Sequence, residues 1–491
     1  MPVEKFPQLS AATLASLAVP GPAYDRRAVR AGIVHIGVGN FHRAHEALYV
    51  DRLLAAGHSE WGICGVGTQP TDARMAEVLR AQDGLYTLVV RHADGSLEPR
   101  VIGSLVEYLY TPDDPEGVVE RMADPATRIV SLTITEGGYD IDAPPGDLGV
   151  PDPNLLLDLQ WGAVPRTAFG LLTESLARRR ERKIDAFAVM SCDNLEGNGD
   201  IARDALVRYA ARRDTDLAEW IGREVAFPNS MVDRITPVTT DVDRVALLER
   251  LGFQDGWPVF CESYTQWVLE DAFPAGRPPW EDVGVQLVPD VRPYELMKLR
   301  LLNAGHQALG YLGYLAGHRY TDETCRDPEF AAFLLAYMEH EALPTLPPVP
   351  GVDLRGYCRT LLERFANPHM RDTLARLCAE SSDRIPKFVL PVIQAQLAGD
   401  GEFARAALVV AAWARYAEGV DERGEPILVI DRQLETVRAA AARSRAEPTA
   451  FLTDTGVFGE LAADPRFVRA FTEQLDSLRA GGARKAVAGA V

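Results

Sequence analysis

Cysteine is scarce and scattered. The six residues, Cys64, Cys192, Cys261, Cys325, Cys358 and Cys378, form no C-x-x-C pair. That argues against a zinc ribbon or a disulfide framework and fits a reducing compartment. Long apolar runs are missing too. The greasiest stretch, "AALVVAAWA" (406–414), falls short of the roughly 18 residues that cross a membrane. The N-terminal "MPVEKFPQLSAATLASLAVP" lacks the basic-then-apolar layout of a secretion signal. Positive charge is in the minority, 51 Lys and Arg against 70 Asp and Glu, for a formal net charge of −19. Such a chain is repelled by nucleic acid and by anionic membrane surfaces, so neither is an expected partner. The short basic run "ARRRERK" (177–183) closes a helical pattern, where cations suit the helix dipole. The expectation is a soluble cytoplasmic protein.

What is present is ordinary globular material: 491 residues, 47% hydrophobic and 25% charged, enough for two or three domains. From about residue 33 strand-like and helix-like blocks alternate. Strands are expected at 33–37, 62–67, 128–136 and 186–194, and helices at 41–57, 72–82 and 167–183. This alternation predicts an α/β domain with a parallel sheet covered on both faces. After the Pro-rich "FPAGRPPW" (273–280) the pattern becomes amphipathic helix, at 293–316, 328–341, 354–365, 370–380, 402–418 and 465–480. A boundary near 288 then separates an α/β domain, 1–288, from a mainly α-helical domain, 289–491.

The first of these helices, "MKLRLLNAGHQALGYLGYLAGHRY" (297–320), is apolar nearly all round and should be buried. Yet it carries Lys298, Asn303 and His306, and a buried lysine is costly unless paired or neutral. At α-helical spacing Asn303 lies roughly 140° and His306 roughly 80° from Lys298, so the three share one arc. A reaction, rather than a core, would place an amine, an amide and an imidazole there.

In "IVHIGVGNFHRAH" (33–45) Gly37 and Gly39 fall between the first strand and a helix. There the backbone can approach a pyrophosphate. The third glycine of G-x-G-x-x-G is replaced by His42. After the second strand the first acid is Asp72, placed to hold an adenosine ribose, to cap the next helix, or to do both. His42, His45 and Glu46 invite a metal reading, but no distant third ligand is identifiable and no metal is expected. The later strands end in "TITE" and "SCDN", which puts Glu136, Asp193 and Asn194 at the carboxyl rim of the sheet, where ligands bind. "PNSMVDRITP" (228–237) offers Asp233 and Arg234 in a loop, where an internal salt bridge would account for both. Together these residues predict a cofactor on the α/β domain and a substrate against the helical one, with a cleft between.

"GVGNFHRAH", "TITEGGY", "VMSCDN", "FPNSMVDRITP" and "MKLRLLNAGH", in this order, resemble the polyol-specific long-chain dehydrogenases. The resemblance runs from about residue 30 to 480. It implies a Rossmann-type NAD-binding domain followed by a helical substrate domain, and metal-independent oxidation of a polyol to a ketose, D-mannitol to D-fructose being the expected pair. A monomer is expected. By the same resemblance Lys298 matches the general base, and Asn194 and Asn303 match the amides that polarise the reacting oxygen. His306 and Asp233 match substrate-positioning residues, and Glu136 a carboxylate of the proton path. Arg376 matches a cation that meets the sugar hydroxyls. Arg384 falls where the second such cation is usually lysine, a point charge rather than a fork. Gly37, Gly39, Asn40, Phe41, His42 and Arg43 match the cofactor turn. Asp72 matches the acid that favours NAD over NADP, although Thr71 stands where some relatives carry a second acid.

These roles agree with the chemistry. The protein must orient a carbinol, take its proton and steady an alkoxide. Two amides aimed at one oxygen make an oxyanion hole. A lysine serves as base only if its pKa is drawn down from ~10.4, by burial and by neighbouring cations such as Arg376. The rival readings are a D-arabinitol dehydrogenase, a fructuronate-type sugar-acid reductase using Arg376, Arg384 and Lys387, a silent NAD-binding sensor, and a methyltransferase.

Overall fold

The structure, a computed structural model, describes residues 6–140, 157–160 and 163–491. The chain divides into two compact units, Met1–Arg292 and Pro293–Val491, four residues beyond the boundary expected from composition.

Eleven strands are described in the first unit: β1 (Ala31–Ile36), β2 (Gly62–Gly67), β3 (Tyr86–Arg91), β4 (Leu97–Ile102), β5 (Leu105–Tyr110), β6 (Ile129–Leu132), β7 (Ala188–Ser191), β8 (Ser230–Asp233), β9 (Val259–Glu262), β10 (Gln266–Glu270) and β11 (Gln286–Val288). Five form a sheet in the order β5-β2-β1-β6-β7, and every neighbouring pair is parallel. The central strand β1 is buried at every position, the pattern of a parallel strand covered on both faces. Val34 and Ile36 pack to one side, with Val130, Leu132 and the helix Ala168–Arg182. Ile33 packs to the other, with Leu48, Val50 and Leu53. Each such fully buried aliphatic side chain contributes about 1.5–3 kcal/mol relative to exposure. Two smaller sheets, β11-β10-β8 and β4-β3-β9, complete the unit.

Several expected elements are shorter than the pattern suggests. The strand expected at 128–136 leaves the sheet after Leu132, and the one at 186–194 ends at Ser191. The helix expected at 41–57 is two helices, α1 (Asn40–Ala44) and α2 (Glu46–Ala55), broken at His45 (φ −121°, ψ −93°).

The second unit is helical. Its first long helix runs as α-helix over Arg292–Met297, π-helix over Lys298–Asn303 and α-helix over Ala304–Leu315. The helix expected at 370–380 is confined to Leu374–Leu377, and Ser381–Phe388 follows as a helix of its own. The final helix, Pro465–Ala490, reaches beyond the expected 480 and kinks at Gly482. No helix among the described residues is long and apolar enough to cross a membrane.

Candidate active site

The open end of the sheet is built on a glycine turn. Gly37 has φ +97°, and a Cβ there would lie 2.1 Å from the Thr133 carbonyl oxygen, so no side chain fits. Its carbonyl accepts from the Gly39 N–H at 2.7 Å and from the Thr133 hydroxyl at 2.7 Å. Gly39 is different. Its backbone is extended (φ −95°, ψ −170°), and a Cβ would meet only the Gly37 oxygen, at 3.8 Å. The fold therefore has no need of glycine at 39, whereas a ligand approaching the backbone closely would. The residues present thus fit a dinucleotide pyrophosphate.

Asn40 and Phe41 flank this turn, half-buried. The His42 and Arg43 side chains are both buried behind it. Arg43 donates to the Asn40 side-chain oxygen (2.7 Å), to the Gly39 carbonyl (3.3 Å) and to the Trp257 carbonyl. It holds the turn from within. At the end of β2 the Asp72 carboxylate accepts the Thr68 and Gln69 N–H groups, both at 2.9 Å. It makes no side-chain cap to the helix Ala73–Ala81 that follows, but with Gln69 it closes a capping box on the short 3-10 turn Pro70–Asp72.

The metal reading gains a third donor that no helical spacing could supply. His35 of β1 joins His42 and Glu46, with ligand atoms within 4.8 Å of one another, while His45 turns away to the Gln266 carbonyl. However, the His35 and His42 rings stack at 3.5 Å with planes 9° apart. Their lone pairs then lie in nearly parallel planes, a poor arrangement for converging on one ion. His35 Nδ1 instead lies 3.2 Å from Glu46 and 2.8 Å from the Ser131 hydroxyl. Burial holds the His42 pKa well below the usual histidine value, helped by His35, Arg43 and His45.

Beside the turn, two further strand ends are fastened together. The buried Asp193 carboxylate accepts from the Ile134 N–H (3.0 Å), the Thr135 N–H (2.8 Å) and the Tyr139 hydroxyl (2.6 Å). Burial, with Asp193 second, pushes the Tyr139 phenol well above its usual pKa, so it stays a donor. Thr135 has φ +63° and ψ 164°, a region that costs a β-branched residue of order 1–3 kcal/mol. This clamp brings the Asn194 turn, exposed to solvent, against the turn that begins at Glu136. The Glu136 side chain lies outside the described residues. Asp233 corrects its loop assignment: it is the buried last residue of β8. Arg234, also buried, donates to the Ala44 carbonyl (2.6 Å) and the Glu262 carbonyl (2.9 Å).

In the second unit the π winding alters the sequence geometry. The Ala304 N–H reaches back to the Leu299 carbonyl, and in this i-to-i+5 pattern residues five apart stand about one turn above each other. Lys298 and Asn303 are five apart, so they share a side of the helix more closely than the roughly 140° of an α-helix would allow. His306 follows three residues on, in α-helical winding, as a neighbour of Asn303. All three are half-buried, between the buried Leu299, Leu301, Leu302, Ala304, Gly305 and Gln307. The Asn303 side-chain oxygen is buried and accepts no hydrogen bond among the described residues. The His306 ring packs on Phe365 with centroids 4.5 Å apart.

Helix Ser381–Phe388, which carries Arg384, packs on the π segment, and Leu374–Leu377, which carries Arg376, packs on Ala304–Leu315. Arg384 donates to the Arg376 and Leu377 carbonyls at 2.9 and 3.0 Å, and Gln307 shares the second at 3.1 Å. Arg376 forms a two-pronged ion pair with Asp372. The Arg376 charge is thereby matched locally. Sequence reading missed Asp372, which gave no signal beyond its i,i+4 spacing. It also missed His35, a lone polar residue in an apolar strand.

The strand order β5-β2-β1-β6-β7, with a glycine turn at the first crossover, defines a Rossmann-type dinucleotide-binding unit, here followed by a helical unit bearing a lysine–amide–imidazole row. Residues 31–282 match the mannitol dehydrogenase Rossmann domain and residues 290–479 the mannitol dehydrogenase C-terminal domain. The chain belongs to the mannitol dehydrogenase family. It is 46% identical to mannitol 2-dehydrogenase of Aspergillus fumigatus over 97% of this chain and 98% of that one. Its structure resembles Pseudomonas fluorescens mannitol 2-dehydrogenase in ternary complex with NAD and D-mannitol, with TM-score 0.88, 44% identity and 98% of each chain covered. D-sorbitol dehydrogenase in substrate-free form is similar at TM-score 0.88 and 36% identity, over 98% of this chain and 100% of that one.

Proposed function

We propose that the protein is an NAD-dependent polyol dehydrogenase that oxidises D-mannitol to D-fructose and catalyses the reverse ketose reduction. The observation that carries this reading is the row Lys298, Asn303 and His306, half-open on an otherwise buried helix that changes its winding there. π segments of this kind frequently mark functional sites. When bound, the nicotinamide supplies the hydride acceptor.

The chain's own groups do the rest. Neutral Lys298 takes the hydroxyl proton, and Glu136 serves its onward path. Asn194 and Asn303 steady the developing alkoxide. His306 and Asp233 orient the substrate, while Arg376 and Arg384 meet its further hydroxyls. Gly37, Gly39, Asn40 and Phe41 receive the cofactor, with His42 and Arg43 holding the turn from behind, and Asp72 meets the adenosine ribose. No metal takes part. The enzyme acts as a monomer in the cytoplasm. The Asp372–Arg376 ion pair favours a polyol over a sugar acid, since a substrate carboxylate would have to compete with Asp372 for the guanidinium.

The test is absorbance at the reduced-nicotinamide band with D-mannitol, D-arabinitol, D-sorbitol, fructose and fructuronate. The reading expects the highest kcat/KM for the mannitol–fructose pair. A dominant rate with fructuronate would move the enzyme to the sugar acids, and no turnover with any of them would leave a sensor.

A further inference from the structure

Beneath the glycine turn the polar residues of two strands line up. His35 and Ser131 are register partners on β1 and β6, and Thr133 lies two residues beyond Ser131, on the same face. The Thr133 hydroxyl donates to the Gly37 carbonyl at 2.7 Å and lies 3.0 Å from His35 Nε2. His35 Nδ1 meets the Ser131 hydroxyl at 2.8 Å, and that hydroxyl donates to Glu46 at 2.9 Å. His35, Ser131 and Glu46 are all buried. Since both hydroxyls donate onward, the ring donates to Ser131 through Nδ1. Its Nε2 lies beside both the Thr133 hydroxyl and, at 3.3 Å, the Gly37 carbonyl. The contacts run continuously from the Glu46 carboxylate to the turn carbonyl.

We propose that Thr133, His35, Ser131 and Glu46 act as positioning residues that preset the Gly37–Val38 peptide for the cofactor's pyrophosphate. This rests on the reading of the Gly37 turn as the cofactor turn. The described residues hold no cis peptide bond, and in a trans peptide the C=O and N–H point opposite ways. The chain draws the Gly37 carbonyl inward, so the Val38 N–H faces outward, ready for an anion. The Gly39 N–H also holds this carbonyl, at 2.7 Å, but a glycine-led turn without the side-chain anchor has more backbone states of similar energy. The relay removes that freedom before the cofactor arrives, which raises affinity without adding a contact. Glu46 fits this role and no direct one, because a carboxylate at the turn would repel the phosphates.

The experiment is NADH binding by fluorescence titration, with KM for NAD, kcat at saturating NAD, and Tm, for Thr133→Val, Thr133→Ser, Ser131→Ala and Gly39→Val. Thr133→Val should weaken NADH binding and raise KM about tenfold, the usual worth of one hydrogen bond, with kcat within about twofold. Thr133→Ser should restore the affinity. Ser131→Ala, which keeps the Thr133 anchor, should shift affinity the same way by less and serves where Thr133→Val folds poorly. Unchanged NADH affinity in folded Thr133→Val and Ser131→Ala, or a loss that serine does not rescue, overturns the relay. Gly39→Val separates the two readings, since the fold tolerates a side chain there. Abolished binding in Gly39→Val beside normal binding in Thr133→Val defeats the relay alone. Normal binding in Gly39→Val defeats the cofactor turn, and the relay with it.

Discussion

Asp72 shows how one carboxylate can be anchored without being used up. Its Oδ2 takes two amides of the turn that follows β2, which fixes the group at the strand end where an adenosine ribose sits. Asp72→Ala should erode the preference for NAD over NADP, read as the ratio of kcat/KM for the two cofactors. An unchanged ratio would reduce it to a turn anchor. His42 makes a different prediction. The fold keeps it neutral among His35, Arg43, His45 and Glu46, whereas the unfolded chain binds a proton near pH ~6.5. Its contribution is therefore complete above that pH and falls on acidification, by about 1.4 kcal/mol per pH unit for one such group. His42→Phe keeps the stacked ring and should flatten unfolding free energy between pH 5 and 6.5, measured by denaturant titration. A slope equal to wild type would assign the acid sensitivity elsewhere.

Among the elements, the long helix of the second unit was legible by composition and its winding was not. Greasy residues around Lys298, Asn303 and His306 marked out a polar arc on a buried helix. A switch from i+4 to i+5 hydrogen bonding leaves no trace in the spacing of leucines. The strand ends were overextended for a related reason. "TITE" and "SCDN" carry β-branched or apolar residues beyond the sheet, and what stops the strands is a tertiary clamp by Asp193, invisible to a local pattern. β4 escaped notice because "LEPRVI" mixes charge and proline into one strand of an antiparallel pair. The clamp itself is testable. Asp193→Asn places an amide donor against backbone N–H groups and the Tyr139 hydroxyl, and should cut kcat about tenfold or more as Thr135 relaxes. Tyr139→Phe removes one contact and should do less. Normal kcat in both would make the clamp irrelevant to the reaction.

At the scale of the whole molecule the absences in the sequence find their reasons. All six cysteines are free thiols and buried, and burial pushes Cys64, Cys261, Cys325 and Cys358 up to about 12, far from reactive thiolates. The alternation of strands and helices made the parallel sheet readable from residue order alone. The hydrogen-bonded cluster at His35 needed the fold, since Ser131 and Glu46 reach it from β6 and α2. The stacked rings there predict that prolonged chelation leaves turnover unchanged. Activity lost to a chelator and restored by zinc would contradict both that geometry and the lysine mechanism.

The most direct measurement of the central claim is the pH dependence of polyol oxidation in wild type and Lys298→Ala, with NADH binding and Tm recorded alongside. Wild-type kcat should rise with pH as the lysine loses its proton. Lys298→Ala should be slower by at least ~10²-fold, the usual worth of a positioned base, and should lose that rise while binding NADH as before, with partial rescue by a small amine. A stably folded Lys298→Ala with near-normal turnover and an unchanged pH profile would contradict the account.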